Sequence, residues 1–211
     1  MQRTLICVSH CDGAGGDEVA RLVAQELGLR YVDEDILAAA ARKAGAATEV
    51  IAEAEQRKPL LRRMLDELAA SGGGMPAVGG FAPPVTPEQP PPPQSDELRG
   101  FIVEAIEEIA ARGRIVIGSH GASFALTSRD DLLRVLVTAS VATRARRFSQ
   151  GRGVDETEAR RQISAADKAR ADYLKRFYGI DREVPSHYDL VINTDVLSPA
   201  EAASIVAQAT R

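Results

Sequence analysis

The sequence predicts an α/β protein built in three layers, with a parallel sheet of about five strands and helices on both faces. Five short apolar runs are spaced along the chain, and most of them are continuous rather than alternating. Continuous apolar runs are typical of strands that are buried on both faces of a parallel sheet. Amphipathic helical patterns separate these runs, and this alternation favours a doubly wound arrangement.

The predicted strands and helices have recognisable boundaries. The strands are predicted at Thr4–Val8, Arg30–Val32, Arg114–Ile117, Leu133–Val137 and Asp189–Ile192. Gly28 follows the first amphipathic stretch and predicts the end of that helix. Asp155 with Glu158 predicts the capped start of a long helix that reaches about Arg176. The sequence "SPAE" at 198–201 predicts the start of the last helix.

A segment rich in glycine and proline interrupts this pattern. Residues 71–94 hold eight of the 11 prolines and five of the 17 glycines. Because this composition cannot sustain a helix or a central strand, we interpret the segment as an insertion within a single domain covering residues 1–211. The composition fits a flexible surface loop. It leaves open a mobile flap or a polyproline II ligand for a partner.

The composition argues against several classes of protein. A net charge of -4 and an aromatic content of only 4% disfavour a nucleic-acid partner. No apolar run approaches the roughly 18 residues of a membrane-spanning helix, so we expect no membrane association. Two cysteines, Cys7 and Cys11, do not make a disulfide framework and indicate a cytoplasmic protein. The oligomeric state stays open, and a homodimer is one assembly that the sequence allows.

The stretch "SHCDGAGGDEV" at 9–19 joins the first predicted strand to the first helix. Its glycines, Gly13, Gly15 and Gly16, permit left-handed backbone and a close approach to a ligand. Backbone N–H groups then converge at a helix N-terminus, where the helix dipole favours an anion. The pattern predicts a phosphate-binding loop, and a plain strand-to-helix turn is the alternative.

Two positions depart from the phosphate-loop pattern GxxxxGK[ST]. Gly16 and Asp17 stand where that pattern has a lysine followed by a serine or threonine. The carboxylates of Asp17 and Glu18 would repel a phosphate unless a cation lay between them, so we predict Asp17 as a ligand of Mg²⁺. If the loop binds phosphate, we expect the substitution Gly16→Lys to tighten ATP binding.

A mixed metal site is an alternative for the same region. His10, Cys11 and Asp12 follow the first strand, and His120 follows the third strand, which we expect to be its neighbour. Together with Asp17 they offer nitrogen, sulfur and oxygen ligands. Their spacing matches no established metal motif.

Long stretches of the second half resemble the C-terminal half of cytidylate kinases. These are "RIVIGSHGASFALTSRDDLLRVLVTASVATRARRF", "DETEARRQISAADKARADYLKRFYGID" and "YDLVINTDVLSPAEA", in which "ADYLKRFYGID" and "YDLVINT" are the most specific pieces. The chain is more similar still to the bacterial cytidylate kinase-like family, in which a "GSGG" loop without the lysine is usual. That loop here is "GAGG". The resemblance covers most of the chain apart from about residues 48–97.

The resemblance implies a P-loop kinase fold that binds ATP with Mg²⁺. The ATP phosphates would lie on the glycine loop. The cofactor-binding residues predicted in this way are Gly13, Ala14, Gly15, Gly16, Asp17, Glu18 and Arg144.

The resemblance also implies a basic lid over the phosphates, because phosphoryl transfer needs positive charge on the equatorial oxygens. Spacing on the long helix favours Arg160, Arg161 and Arg170 as catalytic residues. Asp167 would orient Arg170 or its neighbours. The alternative is a solvated helix face with i,i+4 pairs such as Glu156–Arg160.

An acceptor nucleotide would bind after the second and third strands. Asp33 and Asp35 match the acidic turn that helps to place the acceptor in the family. In "GSHGA" at 118–122, Ser119 stands where an arginine is expected to face the monophosphate, and His120 adds a titratable group. We therefore predict these four side chains as substrate-binding residues. The alternative for the two aspartates is capping of the following helix.

These patterns lead to three hypotheses for function. The first is a cytidylate-like nucleotide kinase, of weakened activity, that transfers the γ-phosphoryl of ATP to a nucleoside monophosphate or a similar small acceptor. The second is a catalytically degenerate nucleotide-binding or regulatory module on the same fold. The third is an interaction protein that keeps only the fold. The missing lysine and arginine favour the second, and the family's usual lysine-free loop favours the first.

Overall fold

A five-stranded parallel sheet organises the protein. The computed structural model describes residues 3–45, 95–118 and 121–211. Within them the strand order is β2-β3-β1-β4-β5, and every pairing is parallel. The strands are β1 (Leu5–His10), β2 (Arg30–Val32), β3 (Ile115–Gly118), β4 (Leu132–Thr138) and β5 (Leu190–Asn193). The predicted parallel sheet is therefore confirmed, with strand ends shifted by no more than two residues.

Helices alternate with these strands as the sequence predicts. They are α1 (Gly16–Leu27), α2 (Glu34–Ala44), α3 (Ser95–Ala111), α4 (Ala122–Ala125), α5 (Val141–Arg152), α6 (Glu156–Tyr178) and α7 (Pro199–Ala209), with a 3₁₀ turn at Pro185–His187. The predicted insertion at 71–94 lies outside the described residues. None of the helices in the described ranges is long and apolar enough to cross a membrane.

Three helix boundaries form by the predicted local chemistry. The Asp155 carboxylate accepts a hydrogen bond from the backbone N–H of Glu158 and begins α6. Ser198 and Glu201 form a reciprocal capping box at the start of α7. Gly28 ends α1 in the left-handed conformation, where a side chain would be strained. These interactions satisfy backbone groups that a helix terminus otherwise leaves unpaired.

Alternate side chains of the sheet pack on opposite faces. In β1, Leu5 and Cys7 pack in the cluster that includes α2 and α3, whereas Ile6 and Val8 pack in the cluster that includes α1 and α7. All four side chains are almost completely buried. Because β1 pairs in parallel with both β3 and β4, the carboxyl ends of these three strands lie at one edge of the sheet, where ligands of open α/β sheets bind.

The two-faced burial predicts which apolar side chains stabilise the fold. Ile117 in β3 is 0% exposed, whereas Ile205 in α7 is 38% exposed. We expect Ile117→Ala to lower the free energy of unfolding by about 2–5 kcal/mol, because it leaves a cavity in the core. The matched control Ile205→Ala should cost less than about 1 kcal/mol. Denaturant unfolding of both variants measures the difference, and equal losses would contradict this account of the core.

Candidate functional site

The glycine loop between β1 and α1 has the backbone that its sequence predicts. Gly13 and Gly15 have φ angles of 78° and 80°, in the left-handed region that favours glycine. A Cβ atom on Gly13 would lie 2.6 Å from the carbonyl oxygen of Arg144. Glycine at position 13 is therefore required both by its dihedral angle and by the close packing of the loop on α5.

Side chains from distant parts of the chain bind the carbonyl oxygens of this loop. The Arg144 Nε donates to the Asp12 carbonyl at 2.7 Å. The Thr194 hydroxyl donates to the Ala14 carbonyl at 2.7 Å. Arg147 donates to the hydroxyl and carbonyl oxygens of Thr194, at 3.0 and 2.6 Å. The backbone carbonyl oxygens of Asp12 and Ala14 therefore accept hydrogen bonds from side chains of the protein.

The first turn of α1 leaves backbone donors for an anion. The first N–H groups of any α-helix lack an intrahelical acceptor. Gly15 occupies the N-cap position of α1, and no side chain among the described residues caps that end. With the helix dipole, this geometry suits a phosphate group. The side chains of Asp17 and Glu18 lie exposed in the same turn and add negative charge.

Arg144 supports the loop through a buried ion pair. Its guanidinium binds both carboxylate oxygens of Asp167, at 2.6 and 2.9 Å, and the Arg144 side chain is only 5% exposed. Burial acts to lower the pKa of Arg144, but the bonds to Asp167 and nearby acidic groups outweigh it and raise the pKa. Asp167 thus orients Arg144 on α5, whereas the sequence predicted that it orients Arg170 or its neighbours. Local spacing along α6 did not reveal this partner on α5.

Arg170 is held by a different carboxylate. Its Nε and one Nη bind the two oxygens of Glu183 at 3.0 and 2.7 Å. The Tyr188 hydroxyl also donates to Glu183. Burial acts to raise the pKa of Glu183, but the bonds and charge of Arg170 outweigh it and lower the pKa. Both partners of this pair are less than one-fifth exposed.

Arg170 nevertheless lies near the loop. A cavity of about 130 Å³ is lined by Arg170, Glu183, Asp167 and Cys11, the residue that follows β1. Burial raises the pKa of the Cys11 thiol, although the charges of Arg170 and Arg144 act in the opposite direction. The predicted lid residue Arg170 is thus close to the carboxyl edge of β1, and it is already paired.

The other two predicted lid arginines lie on the solvent face of α6. Arg160 is 3.9 Å from Glu156, one helical turn away, as the alternative interpretation of this helix predicted. Arg161 binds Glu158 at 2.6 Å and is 75% exposed. The hydrogen bonds of Arg161 lower the pKa of Glu158 to about 2. Both arginines are surface residues in this arrangement. Their catalytic roles stay predictions.

His10 alters the expectation for position 16. A Cβ atom on Gly16 would lie 2.6 Å from Cδ2 of His10 and closer still to its Cβ and Cγ atoms. The His10 Nε2 lies 2.9 Å from Oδ1 of Asp17. The expectation that Gly16→Lys alone tightens ATP binding is therefore withdrawn, because the imidazole ring occupies the space that a side chain at 16 would need.

Asp17 fits Mg²⁺ better than it fits a cluster of protein ligands. Across the described ranges, no group of three or more histidine, cysteine, aspartate or glutamate side chains could hold a metal ion. Mg²⁺ is commonly bound through one or two carboxylates together with substrate phosphates and water. The Asp17 carboxylate is 58% exposed at the helix end, beside the predicted phosphate site. This exposure is compatible with such a role, whereas the mixed metal site also includes His120, which lies outside the described residues.

The two predicted acceptor aspartates point to different places. The Tyr31 hydroxyl donates to Asp33 at 3.1 Å. Burial, followed by the charges of Asp33 and Asp17, raises the pKa of Tyr31. Asp33 occupies the N-cap position of α2 without a capping bond from its side chain. Asp35 instead lines a cavity of about 350 Å³ with Arg42 and other residues of α2 and α3. The predicted residues at 119 and 120 lie outside the described part of the chain.

Several residues of the site were not assigned from the sequence. Thr194 ends the "YDLVINT" stretch, and Arg147 belongs to the basic run after β4, but neither was linked to the loop. Glu183 and Tyr188 were not proposed as partners of Arg170. The signal available for Thr194 was its place directly after a strand, at the edge where ligands bind.

Comparison with known proteins supports the resemblance. The family model of the cytidylate kinase-like family matches residues 5–196. A cytidylate kinase from Sulfolobus acidocaldarius is 31% identical over 104 residues, which are 49% of this chain and 57% of the relative. One from Sulfurisphaera tokodaii is 35% identical over 92 residues, 44% of this chain and 51% of the relative. The matches to these relatives thus span only about half of their length.

Solved structures share the fold at low sequence identity. A protein from Eubacterium ventriosum aligns with a TM-score of 0.65 and 15% identity, covering 98% of this chain and 97% of that one. A shikimate kinase from Bacteroides thetaiotaomicron aligns with a TM-score of 0.52 and 13% identity, covering 98% and 97%. These structures support the three-layer fold of P-loop kinases. With the match over residues 5–196, the chain belongs to the cytidylate kinase-like family.

Proposed function

We propose that this protein transfers the γ-phosphoryl group of ATP to a nucleoside monophosphate, with a cytidylate-like nucleotide as the first candidate acceptor. The observation that carries the proposal is the loop between β1 and α1. Its carbonyls at Asp12 and Ala14 are bound by side chains, and the helix N-terminus behind it leaves amide donors. The family to which the chain belongs supports a nucleotide kinase rather than another function of this anion-binding loop.

In this proposal Gly13 and residues 15–18 hold the ATP phosphates through their backbone N–H groups, whereas the N–H of Ala14, also predicted from the sequence, already donates to the Cys11 carbonyl at 3.0 Å. Asp17 would hold Mg²⁺, which when bound neutralises phosphate charge. Asp33, which accepts a hydrogen bond from Tyr31 at the end of β2, would contact the acceptor there. Asp35 and the side chains at 119 and 120 complete the proposed acceptor site.

The positive charge on the transferred group would come from arginines. Arg170 is the best placed of the three proposed catalytic arginines, since it lines the cavity beside Cys11. Its guanidinium would have to exchange Glu183 for a phosphate. Arg160 and Arg161 would act only after α6 moves toward the loop, because both lie on its solvent face. Arg144 would act through the loop that it supports.

A nucleotide-binding module without transfer chemistry is the second candidate function. The observation that favours it is the pair Gly16 and Asp17, which supplies neither the lysine nor the hydroxyl of a complete phosphate loop. For either function we propose a cytoplasmic protein whose partners are small nucleotides rather than nucleic acid or membranes. A homodimer remains one assembly to be tested by solution mass measurement.

Turnover distinguishes the two functions. We expect CMP, dCMP or UMP to be phosphorylated with Mg·ATP in a coupled assay of ADP release. Arg170→Lys should lower kcat by about 100-fold, because lysine keeps a charge near Glu183 but cannot form the bidentate contact with a phosphoryl group. The control Arg182→Ala, at an exposed position nearby, should leave kcat within about twofold of the unaltered protein.

The outcomes separate the hypotheses. Calorimetric binding of Mg·ATP without turnover of any acceptor would support the module and overturn the kinase. Absence of both binding and turnover would overturn both functions and leave only the fold. Equal kcat values for Arg170→Lys and Arg182→Ala would remove Arg170 from the proposed catalytic residues.

The anchoring of the loop also predicts nucleotide affinity. Thr194→Val keeps the side-chain shape but removes the 2.7 Å bond to the Ala14 carbonyl and the acceptor of Arg147. We expect a loss of about 1–3 kcal/mol in the free energy of unfolding, because buried polar groups lose partners. ATP affinity should fall as well, because the Ala14 carbonyl keeps only the longer contact with Arg147, at 3.5 Å. Denaturant unfolding and calorimetry measure both effects, with Thr127→Val at an exposed position as the control. Unchanged ATP affinity would show that this anchor does not shape the binding site.

A further inference from the structure

Residues 10 and 16 compete for one space at the glycine loop. The ring of His10 lies where a side chain at 16 would begin, since a Cβ atom there would fall 2.6 Å from Cδ2 of His10 and closer to its Cβ and Cγ atoms. Both Gly16 and the His10 side chain are largely buried. Because the close approach includes the Cβ atom of residue 10, even an alanine at position 10 would conflict with a side chain at position 16.

The same ring reaches the carboxylate of Asp17, in the first turn of α1. The His10 Nε2 lies 2.9 Å from Asp17 Oδ1, and the His10 side chain is 11% exposed whereas that of Asp17 is 58% exposed. A carboxylate at neutral pH only accepts hydrogen bonds, so Nε2 carries the proton in this contact. A ring that is packed against the loop therefore fixes one oxygen of a carboxylate that otherwise faces solvent.

We propose that His10 is a positioning residue that takes the space of the absent loop lysine and orients Asp17 to bind the Mg²⁺ that accompanies a nucleotide. This inference rests on the proposed function. The pair His10–Asp17 would replace the lysine–hydroxyl pair of an ordinary phosphate loop. The carboxylate takes over the metal contact from the hydroxyl, and the histidine takes over the space of the lysine.

Two physical arguments favour orientation over a simple surface ion pair. A solvent-exposed pair contributes little because both side chains lose freedom to form it, but the His10 ring is already fixed by packing. Carboxylates and histidines that bind metals are commonly held by a second hydrogen-bonding group, and its loss lowers metal affinity.

The orienting role is tested by binding rather than by activity. His10→Gln keeps a side-chain N–H donor, and His10→Leu keeps the volume without a donor. By calorimetry we expect His10→Leu to weaken Mg·ATP binding by about 10-fold to 100-fold and His10→Gln to weaken it much less. ATP in the presence of EDTA should bind both variants and the unaltered protein with affinities within about threefold, because no metal contact is then involved.

The competition for space is tested by paired substitutions. Gly16→Lys alone should lower the melting temperature and weaken ATP binding. The double variant His10→Gly/Gly16→Lys should recover the melting temperature and bind ATP through the new lysine. The matched control His10→Ala/Gly16→Lys should not recover, because alanine retains the Cβ atom that conflicts with residue 16.

Several results would overturn the inference. If His10→Leu lowers the affinity for Mg·ATP and the affinity for Mg²⁺-free ATP equally, the histidine does not act through the metal. A Gly16→Lys protein that melts like the unaltered protein, or double variants that behave alike, would mean that the two positions do not compete. If the unaltered protein binds neither form of ATP, the proposed function fails and the orienting role fails with it. If it binds both forms and the variants do not differ, only the inference fails.

Discussion

The carbonyl oxygens of the glycine loop impose the constraint on which the rest of the site depends. A loop can present its amides to an anion only if its carbonyls point away from that anion, and hydrogen bonds to the carbonyls hold them in that orientation. Here the Asp12 carbonyl is bound by Arg144 and the Ala14 carbonyl by Thr194. The first donor lies on α5, which Asp167 of α6 holds in place, and the second directly follows β5. The binding geometry of a short local motif therefore depends on the whole C-terminal half of the chain.

Ion pairs within the protein neutralise arginine charge that would otherwise be available to bind a phosphate. Arg144 and Arg170, the two most buried of the predicted site arginines, each bind a carboxylate through two nitrogens. The first turn of α1 adds the Asp17 carboxylate. Two like charges 4 Å apart repel by roughly 1 kcal/mol in water and by about 4 kcal/mol at an effective dielectric constant of 20. In the proposed function, a divalent cation at Asp17 would therefore have a larger part in phosphate binding than it has in a loop that carries its own lysine.

The fold could be predicted from the sequence because its determinants are local. Continuous apolar runs gave the strands, and caps gave the helix starts. The partners within the site could not be predicted in this way. Arg144 and the Asp12 carbonyl are 132 residues apart, and Ala14 and Thr194 are 180 residues apart. Even for His10, which is only six positions from Gly16, the sequence predicts no more than a metal ligand. The steric conflict between the His10 ring and a side chain at position 16 exists only once the loop is folded.

Arg170 links structure to the difference between binding and turnover. Its partner Glu183 has a lowered pKa and is therefore ionised at neutral pH. Removing one member of a buried ion pair costs about 3–5 kcal/mol when the other charge is left without compensation. A phosphate can replace Glu183 as the partner of Arg170, but nothing in that exchange compensates Glu183, to which Tyr188 already donates. In the proposed function, the loop would bind a nucleotide with this pair intact. Phosphoryl transfer through Arg170 would additionally require the segment that carries Glu183 to move toward solvent, so the two steps would differ in their dependence on this pair.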